Sequence, residues 1–365
     1  MSTESPPRSP EQPPRQPAPP DPTLPPSASE QSFVVPTSRG PVSVLAAAVR
    51  ITERYALAVL LVAVVAFFSL WPKTAAIYIQ PDNVRNIVGS QTVLAIIALG
   101  SIVPLVCGQF DLSVGSVAGL CSVLAASAYA RFHMPLIAGI AIGILIGALI
   151  GVVNGLVVTT FGVNALITTL GTSSVVIGVE NWYTNGTSII QGIPTSLTNF
   201  GSGAWLGIPR LFYLLVLVAL AVWYLLEHTP FGRYLHAVGI NAEAAQLVGI
   251  RIPSLVRRSF IVSGSFAGLA GVVLLAQSGA GNPGIGASFT LTALAAAFLG
   301  ATSVRPGRFN VVGTLLAIYF LATAITGLTF AGVQSFINDL FTGAALVFAV
   351  AISALLRRRG VRTRT

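Results

Sequence analysis

Ten apolar runs, separated by short polar, proline-bearing or glycine-rich stretches, order this chain from residue 55 onward. They fall near residues 55–71, 88–106, 112–130, 135–158, 164–182, 211–226, 259–278, 287–303, 311–330 and 336–356. A helix that crosses a bilayer core needs about 20 apolar residues, and each run is roughly that long. The runs are continuous. Membrane β-barrels alternate apolar and polar positions over segments of about 10 residues, so the pattern predicts an all-α polytopic membrane protein with about ten transmembrane helices.

Composition supports this reading. The 365 residues are 54% hydrophobic and 8% charged, with a mean hydropathy of +0.81, whereas a soluble domain carries about 25% charged residues. Residues 1–41 differ from the rest: they hold 13 of the 23 prolines, with many Ser, Gln and Glu. Such a stretch cannot bury a core and lacks the basic-then-apolar order of a cleaved leader. The predicted organisation is a disordered Pro-rich cytoplasmic tail over 1–45, a transmembrane domain over 46–357 and a basic cytoplasmic tail over 358–365.

The net charge of +9 matters through its placement. Nineteen of the 20 basic residues are Arg. With the N-terminus inside, 16 fall on the inner side and four on the outer side, namely Lys73, Arg85, Arg131 and Arg210. The positive-inside rule therefore predicts a multi-pass protein with both termini cytoplasmic. The basic excess is a topology signal, and no nucleic-acid partner is expected. Two connections exceed a tight turn. The outer one, near 183–210, is polar and nearly uncharged. The inner one, near 227–258, is charged and holds a short helical pattern.

Little conventional chemistry is present. A P-loop needs Gly-Lys followed by Ser or Thr, and the only lysine, Lys73, follows a proline in an outer segment. His133, His228 and His236 lie in connections, and no metal-ligand spacing occurs. Cys107 and Cys121 sit in apolar chain as packing residues. The chain is therefore expected not to be an enzyme.

Four features remain. The first is Asp111, within "CGQFDLSVGSVAGL" (107–120). Pro104 and Gly108 weaken the preceding span, so a broken helix is expected, with Asp111 capping the next one through the N–H of Ser113 or Val114. Broken helices at membrane depth line pathways in transporters, which makes Asp111 a pathway candidate. The second is the fourth run, where Gly139, Gly143, Gly147, Gly151 and Gly155 recur every four residues and predict close backbone packing. Asn154 beside them needs a partner inside the membrane. The third is the pair Glu180 and Asp339, placed near the outer ends of their spans where water can reach them. Without a deep His or Lys they argue against a proton relay. The fourth is "INAEAAQLVGI" (240–250), which reads as a short helix with Asn241 as N-cap, Glu243 in the first turn and Gly249 at its end. It is too short to cross a membrane and suits a docking role. On these residues alone a stand-alone secondary transporter or channel for a small polar solute stays open beside a multi-subunit importer.

Several stretches together resemble the permease subunits of bacterial ABC importers, in the branch that imports ribose, xylose, arabinose, galactose and related sugars. "EAAQLVG" (243–249) fits the EAA-x-x-x-G pattern of those subunits, and "GQFDLSVGS" (108–116) is similar to their GG-x-DLSVGS motif. "GALIGVVNGLVV" (147–158), "LITTLGT" (166–172), "FGRYLHAVGINAEAAQLVGI" (231–250) and "SGSFAGLAGVVLLAQ" (263–277) follow in the family's order. The resemblance implies a ten-helix permease fold in the bacterial plasma (inner) membrane, paired with a second permease subunit. It also implies an ATP-binding subunit that carries ATP and Mg, an extracytoplasmic solute-binding protein, and no cofactor in this chain. Asn241, Glu243, Ala244, Ala245 and Gly249 become the ATPase-coupling element, and Asp111, Ser113, Gly115 and Ser116 become the family motif at the broken helix, grouped with Asn154 as translocation-pathway residues. Gln109 departs from the motif's second Gly, and "FTLTALAA" (289–296) carries Thr290 and Thr292 where acidic residues are usual. "GATSVRPGRFN" (300–310) replaces a Gly-rich stretch, so the particular sugar does not follow.

Overall fold

The computed structural model describes residues 44–334 and 336–362, with side chains for 55–334, 336–337 and 340–351. The tail expected over 1–45 therefore lies almost wholly outside the described residues. Residues 47–365 form one unit, and the packing below concerns it alone.

The helices are, in chain order, α1 (Val44–Leu70), α2 (Ala75–Tyr78), α3 (Pro81–Ser90), α4 (Thr92–Val106), α5 (Val114–Ala130), α6 (Leu136–Thr160), α7 (Ala165–Thr184), α8 (Thr195–Ser202), α9 (Arg210–His228), α10 (Pro230–Ile240), α11 (Ala242–Leu247), α12 (Ile252–Ser278), α13 (Ser288–Gly300), α14 (Val311–Phe330) and α15 (Phe336–Arg362). Each of the ten apolar runs coincides with one of these helices, and the ends agree within a few residues except where α1, α12 and α15 extend further. Pro81–Val106, α6, α9, α12 and α14 are long and apolar enough to cross a membrane by length and composition. Tyr55–Leu70, Val114–Ala130, Ile285–Gly300 and Leu340–Ala351 are shorter apolar helices. The chain is an all-α polytopic membrane protein. The last helix continues to Arg362, so the tail expected from 358 is helical over its first five residues.

A helix that is apolar all round belongs at the centre, and α4 is buried from Thr92 to Val106. It packs against α9, α12, α13 and α14. The closest pairing is α6 with α12. Its cause is glycine on both sides. A Cβ on Gly147 would lie 2.8 Å from Gly268 N, and one on Gly151 would lie 2.9 Å from Ile261 Cα. Gly264 and Gly268 of α12 press in turn on the α6 backbone at Gly147 and Gly143. Side chains of any size would hold these backbones apart.

The outer connection is more structured than its polar composition implied. It contains α8 and a two-residue hairpin that pairs Ala204–Trp205 with Ile208–Pro209. Ile189 and Gly281 exchange backbone hydrogen bonds of 3.0 and 2.9 Å, which tie this segment to the α12–α13 connection.

Candidate functional site

Between α4 and α5 the backbone leaves helical geometry over residues 107–113. Pro104 occupies the last turn of α4, and Gly108 takes φ +82°. The first N–H groups of α5 have no carbonyl one turn back to bond to. Three separate segments serve them. Thr169 of α7 accepts from Leu112 N at 3.0 Å, Asp111 accepts from Ser113 N at 3.1 Å, and Thr290 of α13 accepts from Gly115 N at 3.2 Å.

The expected bond from Ser113 N to Asp111 is present, but Asp111 is not itself the N-cap residue. Ser113 is the N-cap of α5, and its side chain makes no capping bond. Asp111 stands two residues earlier and folds over the helix entrance. The hydroxyl of Ser113 also donates to Asp111 Oδ1 at 2.7 Å, and Ser263 Oγ of α12 donates to Oδ2 at 2.8 Å. Asp111 is buried, and its carboxylate is solvated by these three donors, with no ion pair to it among the described residues. These hydrogen bonds offset part of the cost of such burial.

The network continues. Asn154 of α6 donates to Ser113 Oγ at 2.9 Å and accepts from Thr172 Oγ1 of α7 at 2.6 Å. Ser116 donates to the Ser113 carbonyl at 3.1 Å and pairs with Ser173 of α7 at 2.7 Å. Asp111, Ser113, Ser116 and Asn154 therefore meet in one polar chain that joins α5, α6, α7, α12 and α13. Ser263, Thr169, Thr172, Ser173 and Thr290 belong to it too, and the sequence reading did not single them out as site residues. Ser263 had a signal: it precedes Gly264 and Gly268, whose spacing matches the α6 glycines. Gly115 has a steric role, since a Cβ there would fall 2.5 Å from the Gly286 carbonyl.

The glycines do not all face one partner. Gly143, Gly147, Gly151 and Gly155 approach α12, whereas Gly139 receives the ring of Tyr129 from α5. Glu180 requires a correction. It was expected to meet water near the outer end of α7, yet it is 0% exposed. One oxygen, Oε2, accepts from Gly284 N at 2.7 Å, and Oε1 packs over Gly119 with no hydrogen-bond partner. The connection before α13 folds back over the helix end and seals it. The side chain of Asp339 lies outside the described residues.

At the opposite end of the bundle, Asn241 caps α11 by accepting from Ala244 N at 3.0 Å, and Gly249 closes the turn at φ +86°. Glu243 and Ala244 are exposed, whereas Ala245 is buried and seats the helix on the bundle. Leu247 and Val248 are 88% and 78% exposed. They form an apolar tip on a polar connection, which the motif reading passed over. Arg305 pairs with Glu227 of α9, and the hydrogen bond to that carboxylate, with its charge, raises the Arg305 guanidinium's pKa.

A bundle of apolar helices, a broken helix with a buried polar chain and a short displayed helix define a membrane transport protein. The chain belongs to the family described as branched-chain amino acid transport system / permease component, which matches residues 83–350. It is 37% identical over 275 residues to the ribose import permease protein of Bacillus subtilis, covering 75% of this chain and 85% of that protein. It is 32% identical over 303 residues to the ribose import permease protein of Escherichia coli K12, covering 82% and 93%. The autoinducer 2 import system permease protein of Photorhabdus laumondii is 31% identical over 298 residues, covering 81% and 89%. No solved structure matches the chain. The protein is thus a permease component of an import system, a transport subunit rather than an enzyme.

Proposed function

We infer that this chain forms the translocation pathway of an ATP-driven importer for a monosaccharide or similar small polar solute. The observation that carries the reading is the displayed helix α11, capped by Asn241, turned by Gly249 and tipped with exposed Leu247 and Val248. Exposed apolar residues on a rigid short helix are suited to a groove in a partner subunit. The EAA-x-x-x-G spacing over residues 243–249 and the names of the ribose and autoinducer 2 permeases support the same reading. An ATP-binding subunit docks there and supplies ATP and Mg. An extracytoplasmic solute-binding protein delivers the solute, and a second permease subunit completes the pathway. The chain resides in the bacterial plasma (inner) membrane with both termini cytoplasmic, as the Arg distribution favours.

In this reading the Asp111 network is the pathway wall. Its hydroxyls and amide can exchange partners with the hydroxyls of a sugar at little cost, because one neutral hydrogen bond replaces another. The test is reconstitution. Uptake of labelled ribose or a related monosaccharide should need the ATPase, the binding protein and ATP together. Uptake by the permease alone would replace this reading with a stand-alone transporter.

A further inference from the structure

Between α9 and α14 runs an apolar groove of about 430 Å³, lined by Phe212, Val216, Trp223, Val312, Leu315 and Tyr319 among others. From Phe212 to Trp223 it follows α9 for about 16 Å at 1.5 Å per residue. Its lining is carbon almost throughout. At one end the Tyr319 hydroxyl is turned away to the Val88 carbonyl at 3.4 Å. The other end is different. Val312 follows directly on the connection that carries Arg305 and Arg308. Glu227, one helical turn beyond Trp223 on the same face of α9, pairs with Arg305 and feels Arg308 and His236 as near charges. The ring of Trp223 meets that of His228 at a tilt of 59°, with centroids 4.5 Å apart. The two arginines outnumber the one carboxylate, so the mouth carries excess positive charge beside an aromatic anchor.

We propose that this groove is a binding site for one anionic phospholipid of the inner leaflet, its acyl chain along α9 and α14 and its headgroup against Arg308. Charge decides between occupants. A second copy of this chain would bring another copy of the same basic mouth, whereas a phosphate diester complements it. A groove open along its length, with Val312 51% and Trp223 41% exposed, admits a chain sideways from the bilayer. The leaflet follows from the orientation inferred above. The binding itself does not, so a topology reporter at Arg308 and a lipid titration fail independently.

The test is native mass spectrometry of the full-length chain in detergent, titrated with dioleoyl phosphatidylglycerol or dioleoyl phosphatidylcholine. One phosphatidylglycerol should be retained about fivefold better than phosphatidylcholine, the contribution of one arginine near a membrane surface. Arg308→Gln should abolish the preference, Arg308→Lys should keep it, and Leu315→Trp should lower retention of both lipids. Free inorganic phosphate should not displace the bound lipid. Equal retention of the two lipids, or a preference that survives Arg308→Gln in protein with an unchanged elution profile, overturns the proposal. So does efficient disulfide cross-linking of Val216→Cys between two copies in native membranes, which would put protein in the groove.

Discussion

Asp111 shows why a chain this apolar keeps a carboxylate. It ties the entrance of α5 to α12 through donors that are each weak, and its value lies in having two oxygens in one plane. Asp111→Asn retains one acceptor for the Ser113 donors and turns an amide toward Ser263, which can accept. Asp111→Ala leaves the Ser113 N–H buried with no acceptor, at about 1–3 kcal/mol. Thermal unfolding in detergent should therefore rank wild type and Asn together and Ala clearly below. If Asn folds normally and still loses uptake, the charge acts in transport. Glu180 obeys different arithmetic, since its second oxygen is unpartnered. Glu180→Gln keeps an acceptor for Gly284 N and removes an uncompensated charge, so its unfolding midpoint should equal or exceed wild type. Glu180→Ala should fall by about 1–3 kcal/mol, having orphaned a backbone donor and opened a hole. That Glu180 is sealed could not be read along the chain. Its partner is 104 residues away, and nothing local distinguishes a buried carboxylate from one at a wet helix end.

At the scale of elements, the four-residue glycine spacing on α6 was legible because helix geometry makes periodicity a face. Which neighbour met that face was not, since Gly139 and Gly143 look alike in sequence and touch different helices. The contrast can be tested with one substitution type. Gly147→Leu and Gly151→Leu drive side-chain carbon into the α12 backbone and should abolish folded yield. Gly171 and Gly178 on α7 have nothing within 4 Å of a Cβ. Gly171→Ala and Gly178→Ala should be neutral or stabilising by up to roughly 1 kcal/mol, since glycine is a poor helix former. Equal behaviour of the two groups in size-exclusion yield would refute close backbone packing. For α11 the cap and the turn were both written locally, as Asn241 and Gly249. Gly249→Val forces a branched residue to φ +86° at a cost of roughly 1–2 kcal/mol. Leu247→Asp costs the isolated bundle nothing. Both variants should insert normally, and a pull-down should find the ATP-binding subunit lost from each.

For the whole molecule, the ten runs were readable because bilayer thickness imposes itself on every span. The polar chain was not, because it joins residues as far apart as Asp111 and Ser263. A reporter fused after residue 245 should be cytoplasmic, and one near residue 195 should be extracytoplasmic. The reverse at both sites would invert the map. The α6–α12 contact has a further consequence. Backbones pressed together at four successive glycines cannot slide by fractions of a residue, because each carbonyl sits in a notch cut to its size. The two helices are thereby geared, like meshed racks, and must shift as one piece or by a whole turn. Ile252, the first residue of that piece, begins after a four-residue turn from the displayed helix, and Ser263 donates to Asp111 about 16 Å further along it. A shift of α12 along its axis would therefore carry α6 with it and move Ser263 against Asp111.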